Sequence, residues 1–246
     1  MENAAPKCGS SDKRNAEYLQ AYTPEKYFRY LIQKESPVIF DIGAHKGESV
    51  RFFKEIFPES RIYSFEPDPD NFIELEKCCA ETNTFYGEKV FAINKAVGEI
   101  SGVASFYRQS ISHLGGLLPI NKSSKDSLGY AEKAINESFS VETITVDQFS
   151  AEVNLDHIDI LKIDVQGFEV GVLRGAMEML QKTSCCTVEV SFYDFYEQKS
   201  SLLLIEQEMQ TAEMKLWDIS KVSKNPKNFR TDWAELVYVR NNFAKD

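Results

Sequence analysis

Two stretches, VIFDIGAHKGESV (Val38 to Val50) and RIYSFEP (Arg61 to Pro67), decide the fold. Val38, Ile39 and Phe40 form an apolar run that ends in an acid and then a glycine, as a buried parallel strand does when it breaks into a tight turn. Gly43 and Gly47 bracket that turn. A second apolar strand, Ile62 to Phe65, is closed by Glu66. In open α/β sheets ligands lie beyond the carboxyl ends of the strands, and an acid ending the second strand can accept hydrogen bonds from both hydroxyls of a ribose.

What the turn lacks narrows the nucleoside. A dinucleotide fingerprint, G-x-G-x-x-G, lets the backbone approach a pyrophosphate. This chain has D-x-G-x-x-x-G, with bulky His45 where the middle glycine would stand. Asp41, just before the turn, also disfavours phosphate and favours a cationic or amine-bearing ligand. S-adenosylmethionine has a ribose, an adenine, an ammonium and a sulfonium, and no phosphate.

Further blocks extend the pattern: SFEPDPDNF, NKAVGEISGVASFY, ETITVDQF and IDILKIDVQGFEVGVLRGAMEML. From about Pro37 to Val190 the chain resembles the FkbM family of S-adenosylmethionine-dependent methyltransferases, and LKID-x-x-G-x-E-x-x-VL-x-GA is the most specific part. The resemblance implies a Rossmann-like class I methyltransferase fold and methyl transfer to a hydroxyl, usually of a sugar, glycoconjugate precursor or natural product. Gln166 departs from the glutamate common in the family, which bears on any role needing a second charge there.

Alternation of β and α patterns predicts an α/β fold with a mostly parallel, doubly wound sheet and a terminal antiparallel hairpin. Strands are expected at Val90–Ile93, Ile158–Ile163 and Thr187–Val190, with Leu216–Ile219 and Glu235–Val239 forming the hairpin. Helices are expected after Pro24, from Val50 to Phe57, over Asn71–Glu81, from Val170 to Leu180 and over Leu202–Met209. Residues 1–22 read as a flexible polar segment and 23–246 as one methyltransferase domain. Within it, an insertion at about 98–158 is too long for an ordinary connection. It holds expected strands at Val103–Tyr107 and Val141–Val146 around SISHLGGLLPINKSS, and is assigned to substrate recognition.

The 246 residues can bury a full core, and a net charge of −10 argues against a nucleic-acid partner. Five cysteines, including the adjacent pairs Cys78, Cys79 and Cys185, Cys186, read as reduced thiols. With no apolar leader and no span-length apolar run, the chain reads as cytoplasmic and free of membrane. The expected partner is a small hydroxylated acceptor, a sugar or nucleotide-sugar; a homo-oligomer is left open. Lys215 to Arg230 concentrates positive charge. A solvated hairpin is its plain reading, and an anchor for a phosphorylated or nucleotide-linked sugar its functional one.

Site candidates follow from the strand ends. Asp41, Gly43, Ala44, Gly47, Glu48 and Ser49 would shape the methionine and ribose side, with Glu66 on the ribose. Pro67, Asp68 and Ala96 would border the adenine. His45 would pack, or donate to the methionine carboxylate. Asp164, ending the fourth strand on the same rim, is expected beside the transferred methyl, and Glu189 is its neighbour; the two could share a Mg²⁺ that orients the acceptor oxygen. Capping the next helix is an equally weighted role for Asp164. Lys162, two positions before Asp164 and on the same strand face, reads as a structural ion-pair residue. His113, in the SISHLGG loop, is the candidate base or substrate ligand. A nicotinamide-dependent oxidoreductase and a catalytically silent cofactor-binding module stay open as alternatives.

Overall fold

The computed structural model describes residues 11–124, 134, 135 and 137–240. The chain begins with α1 (Ser11–Ala21) and α2 (Pro24–Leu31), then alternates through β1 (Val38–Ile42), α3 (Glu48–Ile56), β2 (Arg61–Phe65), α4 (Pro69–Tyr86) and β3 (Val90–Ile93). β4 (Ala96–Val97) leads into the insertion, which supplies β5 (Gly102–Arg108), β6 (Glu137–Ile144) and α5 (Val146–Glu152). After it come β7 (Ile158–Ile163), α6 (Glu169–Arg174), α7 (Met177–Leu180), β8 (Thr183–Ser191), α8 (Leu202–Thr211), β9 (Met214–Lys224) and β10 (Thr231–Arg240).

Seven strands form one sheet in the order β3-β2-β1-β7-β8-β10-β9. All neighbours run parallel except β10, which is antiparallel to both β8 and β9. The strand order reverses between β1 and β7, the crevice where ligands of doubly wound sheets sit. Both sheet faces are buried, because the strands are apolar at successive positions: Phe40, Leu161, Val188 and Leu236 pack on one side, Ile39, Ile160, Cys185 and Val237 on the other. On the first side Phe149 from α5 meets Phe40, Tyr63 and Phe65 edge-on at 5.7, 5.4 and 4.8 Å.

Local chemistry sets the helix starts. The Thr23 hydroxyl accepts from the Lys26 amide and Asp68 from the Asp70 amide, each followed by proline at the first helical position. With β4 the insertion folds into a separate sheet, β4-β6-β5, bound to the body by Arg108, which makes two bonds of 2.7 and 2.6 Å to Asp68. Arg108 also lies 2.9 Å from Asp70 and over the Phe139 ring.

Three expectations are corrected. Ser11–Ala21 is a helix rather than a flexible segment, and residues 1–10 of that segment lie outside the described residues. The second insertion strand is Glu137–Ile144, not Val141–Val146, because Thr145 caps a helix and Val146 is its first residue. The helix expected over Asn71–Glu81 is longer, Pro69–Tyr86, since Asp68 caps it three residues upstream of Asn71. Residues 125–133 and 136 of the insertion also lie outside the described residues.

Gly43 is where the turn leaves no room for a side chain. Its φ is +82°, and a Cβ there would lie 1.9 Å from the carbonyl oxygen of Asp164. Gly43→Ala is expected to lose about 2–4 kcal/mol of unfolding free energy. Chemical denaturation measures this, and an unchanged midpoint would refute the close approach of β1 and β7.

Candidate active site

The turn after β1 is built from its own hydrogen bonds. The amides of Gly43 and Ala44 both donate to the carbonyl of Phe65, at 3.1 and 2.9 Å, and the amide of His45 donates to Glu66 Oε2 at 2.9 Å. The Gly47 amide turns back to Ala44 O at 2.9 Å and the Lys46 amide reaches Glu48 at 3.3 Å. Five successive amides are therefore committed before any ligand arrives. A diphosphate would need just these donors, so a dinucleotide finds no nest here.

Glu66 is the acid this turn holds. Besides His45 it accepts from the Asp68 amide at 3.0 Å and from the Asn71 side chain at 3.5 Å, and it lines a cavity of about 390 Å³ at the sheet's switch point. Burial pushes its carboxyl up to about 7, against the pull of those donors. Gly43, His45, Pro67, Ala96 and Phe106 line the cavity with it.

The other end collects acids. Asp41 and Lys162 are register partners on β1 and β7, and the Lys162 ammonium stands 3.1 Å from Asp41 and 3.9 Å from Asp164. Burial alone would lower that ammonium, but the two carboxylates outweigh it and hold it above its ordinary range. Burial raises the Asp41 carboxyl, and the charge of Lys162 is its main compensation, with the Ser49 side chain also turned to it. Asp164 also accepts from the Gln166 amide nitrogen at 2.8 Å, and the Gln166 oxygen accepts from the Tyr196 hydroxyl at 2.6 Å. Gln166 holds this bridge from a left-handed backbone, φ 58°. Burial, with the charges of Asp164 and Glu169 added, pushes Glu189 up to about 9, so it is protonated at neutral pH. Burial pushes Glu169 up to about 7; its carboxylate accepts from the Gly167 amide at 2.8 Å, in the loop just before α6.

The insertion closes the cavity from above. A 3-10 turn, Ser112–Leu114, lies on the cofactor turn: Ser112 Oγ is 2.8 Å from His45 Nε2, and the rings of His45 and His113 meet edge-on at 6.4 Å. His113 lines the cavity there.

Of the expected site residues, Gly43, His45, Glu66, Pro67, Ala96, His113, Asp164 and Glu189 line this cavity. Asp41, Ala44, Gly47, Glu48, Ser49 and Asp68 do not. Asp41 is the buried partner of Lys162, and Asp68 is held by Arg108 while capping α4. Glu48 is largely exposed, with His45 Nδ1 3.4 Å away. Gly47, with φ +91°, caps α3 and abuts Cys78.

Asp164 does not cap the next helix: α6 follows Phe168 without a side-chain cap, and the Val170 amide in its first turn donates to Ser200 Oγ at 2.9 Å. The expected Mg²⁺ is not supported. Lys162 already supplies the positive charge beside Asp164, and among the described residues no three of His, Cys, Asp and Glu are grouped to hold a metal ion.

Asn71, Tyr196, Phe106 and Trp233 line the cavity without having been found in the sequence, and so does Gln166, which was singled out there only as a departure from glutamate. Of the other four only Asn71 gave a signal, a polar residue in the first turn of the helix that follows Glu66. The basic segment Lys215–Arg230 forms β9 and the hairpin turn; Lys221 pairs with Glu235 at 2.8 Å, and Arg230 lies 3.9 Å over the Tyr193 ring and donates to the carbonyl of Phe192. Among the described residues, none of its lysines or arginines lines the cavity. The four described cysteines are buried and unbridged, and no helix among the described residues is long and apolar enough to cross a membrane.

Comparison with known proteins completes the picture. The methyltransferase FkbM domain matches residues 41–217. The 2-O-methyltransferase NoeI of Sinorhizobium fredii is 30% identical over 175 residues, 68% of each chain. The hexuronic acid methyltransferase AglP of Haloferax volcanii is 24% identical over 164 residues, 66% of this chain and 60% of that one. A crystal structure of methyltransferase FkbM from Methylobacillus flagellatus matches with a TM-score of 0.54 at 16% identity, over 91% of this chain. The matched region spans half of that structure's chain.

The buried acids give a stability signature. Glu66, Glu169 and Glu189 have carboxyls raised above their unfolded values, so the folded state favours their protonated forms. Their contribution is complete only below the unfolded value of 4.5, and is lost as pH rises from there to about 7 for Glu66 and Glu169 and to about 9 for Glu189. The melting temperature is expected to fall by several degrees from pH 5.5 to pH 9, less so in Glu189→Gln. Scanning calorimetry checks this; a melting temperature that rises over this range would contradict the buried, protonated state of these acids.

Proposed function

Because the chain belongs to the FkbM methyltransferase family, we propose that it transfers a methyl group from S-adenosylmethionine to a hydroxyl of a small sugar or sugar-like acceptor. The observation that carries this reading is Glu66: a buried carboxylate, lining the cavity, held by a turn whose amides are already bonded. That combination suits a ribose and refuses a diphosphate, which favours an adenosyl sulfonium over a nicotinamide dinucleotide.

The residues present fit this group. Glu66 would take the ribose hydroxyls, Pro67, Ala96 and Asn71 the adenine side, and Gly43 and His45 the methionine side. When bound, the sulfonium supplies the methyl group for an in-line displacement, in which alignment and closeness provide much of the rate.

The remaining chemistry belongs to the acids at the ends of β7 and β8. Asp164, between Lys162 and the Gln166 amide, accepts the proton that the acceptor hydroxyl loses. Glu189 keeps its own proton at neutral pH, so it donates a hydrogen bond rather than acting as base. Tyr196, whose proton is directed at Gln166, positions that amide. His113 offers a further ring to the acceptor from the roof of the cavity. The hydroxyl acceptor draws support from a relative that is a 2-O-methyltransferase, and the sugar class, though not the charge of the ring, from one named for hexuronic acid.

Two tests follow. Ribose hydroxyls donate to an ionised carboxylate, so affinity for S-adenosylhomocysteine is expected to rise several-fold from pH 6 to pH 8 as Glu66 loses its proton near 7. Glu66→Gln should weaken binding and flatten that dependence, as titration calorimetry would show; a wild-type affinity independent of pH removes Glu66 from the ribose. Separately, His113→Ala should lower turnover while leaving S-adenosylhomocysteine affinity intact, and an unchanged rate ends its role at the acceptor.

A further inference from the structure

Beyond Glu66 the cavity changes character. At the end reached by β7, β8 and β10, its described lining includes the acids Asp164, Glu169, Glu189 and Asp232 and the aromatic rings of Tyr193, Phe195, Tyr196 and Trp233. Among the described residues this end has no lysine or arginine in its lining. The nearest cations are engaged elsewhere: Lys162 with Asp41 and Asp164, Lys199 with the Ser191 carbonyl at 3.0 Å, and Arg230 with Tyr193 and Phe192. Lys95 lines the opposite, nucleoside end and is paired with Glu142 at 3.0 Å.

We propose that the acceptor lobe takes an uncharged, hydroxyl-rich ring and rejects rings bearing a carboxylate, a phosphate or a nucleoside diphosphate. This deepens the methyltransferase reading and rests on it.

The chemistry is that of a polyol with one apolar face. Hydroxyls donate to the carboxylates and accept from a protonated Glu189, so every polar group in the lobe can be satisfied without a counter-ion. Ring C–H faces find flat aromatic partners in Tyr193, Phe195 and Trp233. An anionic substituent would lose hydration in a partly desolvated cavity, beside an Asp164 whose one cation, Lys162, is shared with Asp41, and no lysine or arginine among the described lining of this end would bind it in return. A phosphate is ordinarily recognised by arginine or lysine forks, and the cations close by are held by other partners. The basic hairpin therefore stands outside substrate recognition, and the hexuronic acid that AglP acts on is the kind of acceptor this lobe would exclude.

The test uses the full chain saturated with S-adenosylhomocysteine, whose own binding is measured first by titration calorimetry. Matched pairs are then titrated by ligand-observed NMR: methyl glycosides of several hexoses and deoxyhexoses against the corresponding uronates, sugar phosphates and uridine diphosphate sugars. The expected result is binding of at least one neutral ring, with its anionic counterparts weaker by about tenfold or more, a gap that narrows as salt is raised. An anionic member binding as tightly as its neutral partner overturns the proposal. So does the failure of every neutral ring to bind protein that still holds S-adenosylhomocysteine, an outcome that leaves the cofactor reading standing. Failure to bind S-adenosylhomocysteine overturns that underlying reading instead.

Discussion

Three amides in a row, those of Gly43, Ala44 and His45, are tied to the end of β2, two through the carbonyl of Phe65 and one through the carboxylate of Glu66. Everything else in the site depends on this bond set. It draws the β1 turn against its neighbour strand, aligns Glu66 with the cavity and forces the left-handed backbone at Gly43, His45 and Gly47. It also removes the donors that would otherwise make the turn an anion nest. One arrangement thus accounts both for the ribose acid and for the lack of a diphosphate site.

The second constraint is charge. Several carboxyl groups converge at the ends of β1, β7 and β8, where burial penalises ionisation. A single ammonium, Lys162, offsets two of them, while Glu189 keeps a proton. This division separates the roles proposed for the acids: Asp164, beside the cation and the Gln166 amide, is the one suited to accept a proton. The same distribution gives the acceptor lobe its acidic, aromatic character.

Much of this could be read from the residues before the structure. The runs at Val38–Phe40, Ile62–Phe65 and Ile158–Ile163 are mostly apolar, so the strands and their parallel pairing followed from pattern, although β1 continues through Asp41 to Ile42, and Glu66 and Asp164 were found as acids at strand ends. Lys162 was assigned an ion pair from strand parity with Asp164, and its partners are Asp41 and Asp164. What escaped the sequence depends on long-range meetings. Tyr196 reaches Gln166 from thirty positions away, and Phe106 and Trp233 enter the cavity from the insertion and from β10. Asp68 looked like an adenine neighbour because it follows Glu66, yet the insertion's Arg108 holds it as a structural acid. Val146 looked like a strand residue because it is β-branched, and the Thr145 cap outweighed that preference.

The most direct measurement is a crystal structure of the protein bound to S-adenosylhomocysteine. The account predicts both ribose hydroxyls within hydrogen-bond distance of Glu66, the sulfur facing Asp164 and Glu189, and the amides of Gly43 and Ala44 still on Phe65. A ligand whose ribose lies away from Glu66, or a turn that releases those amides to bind it, would contradict the account.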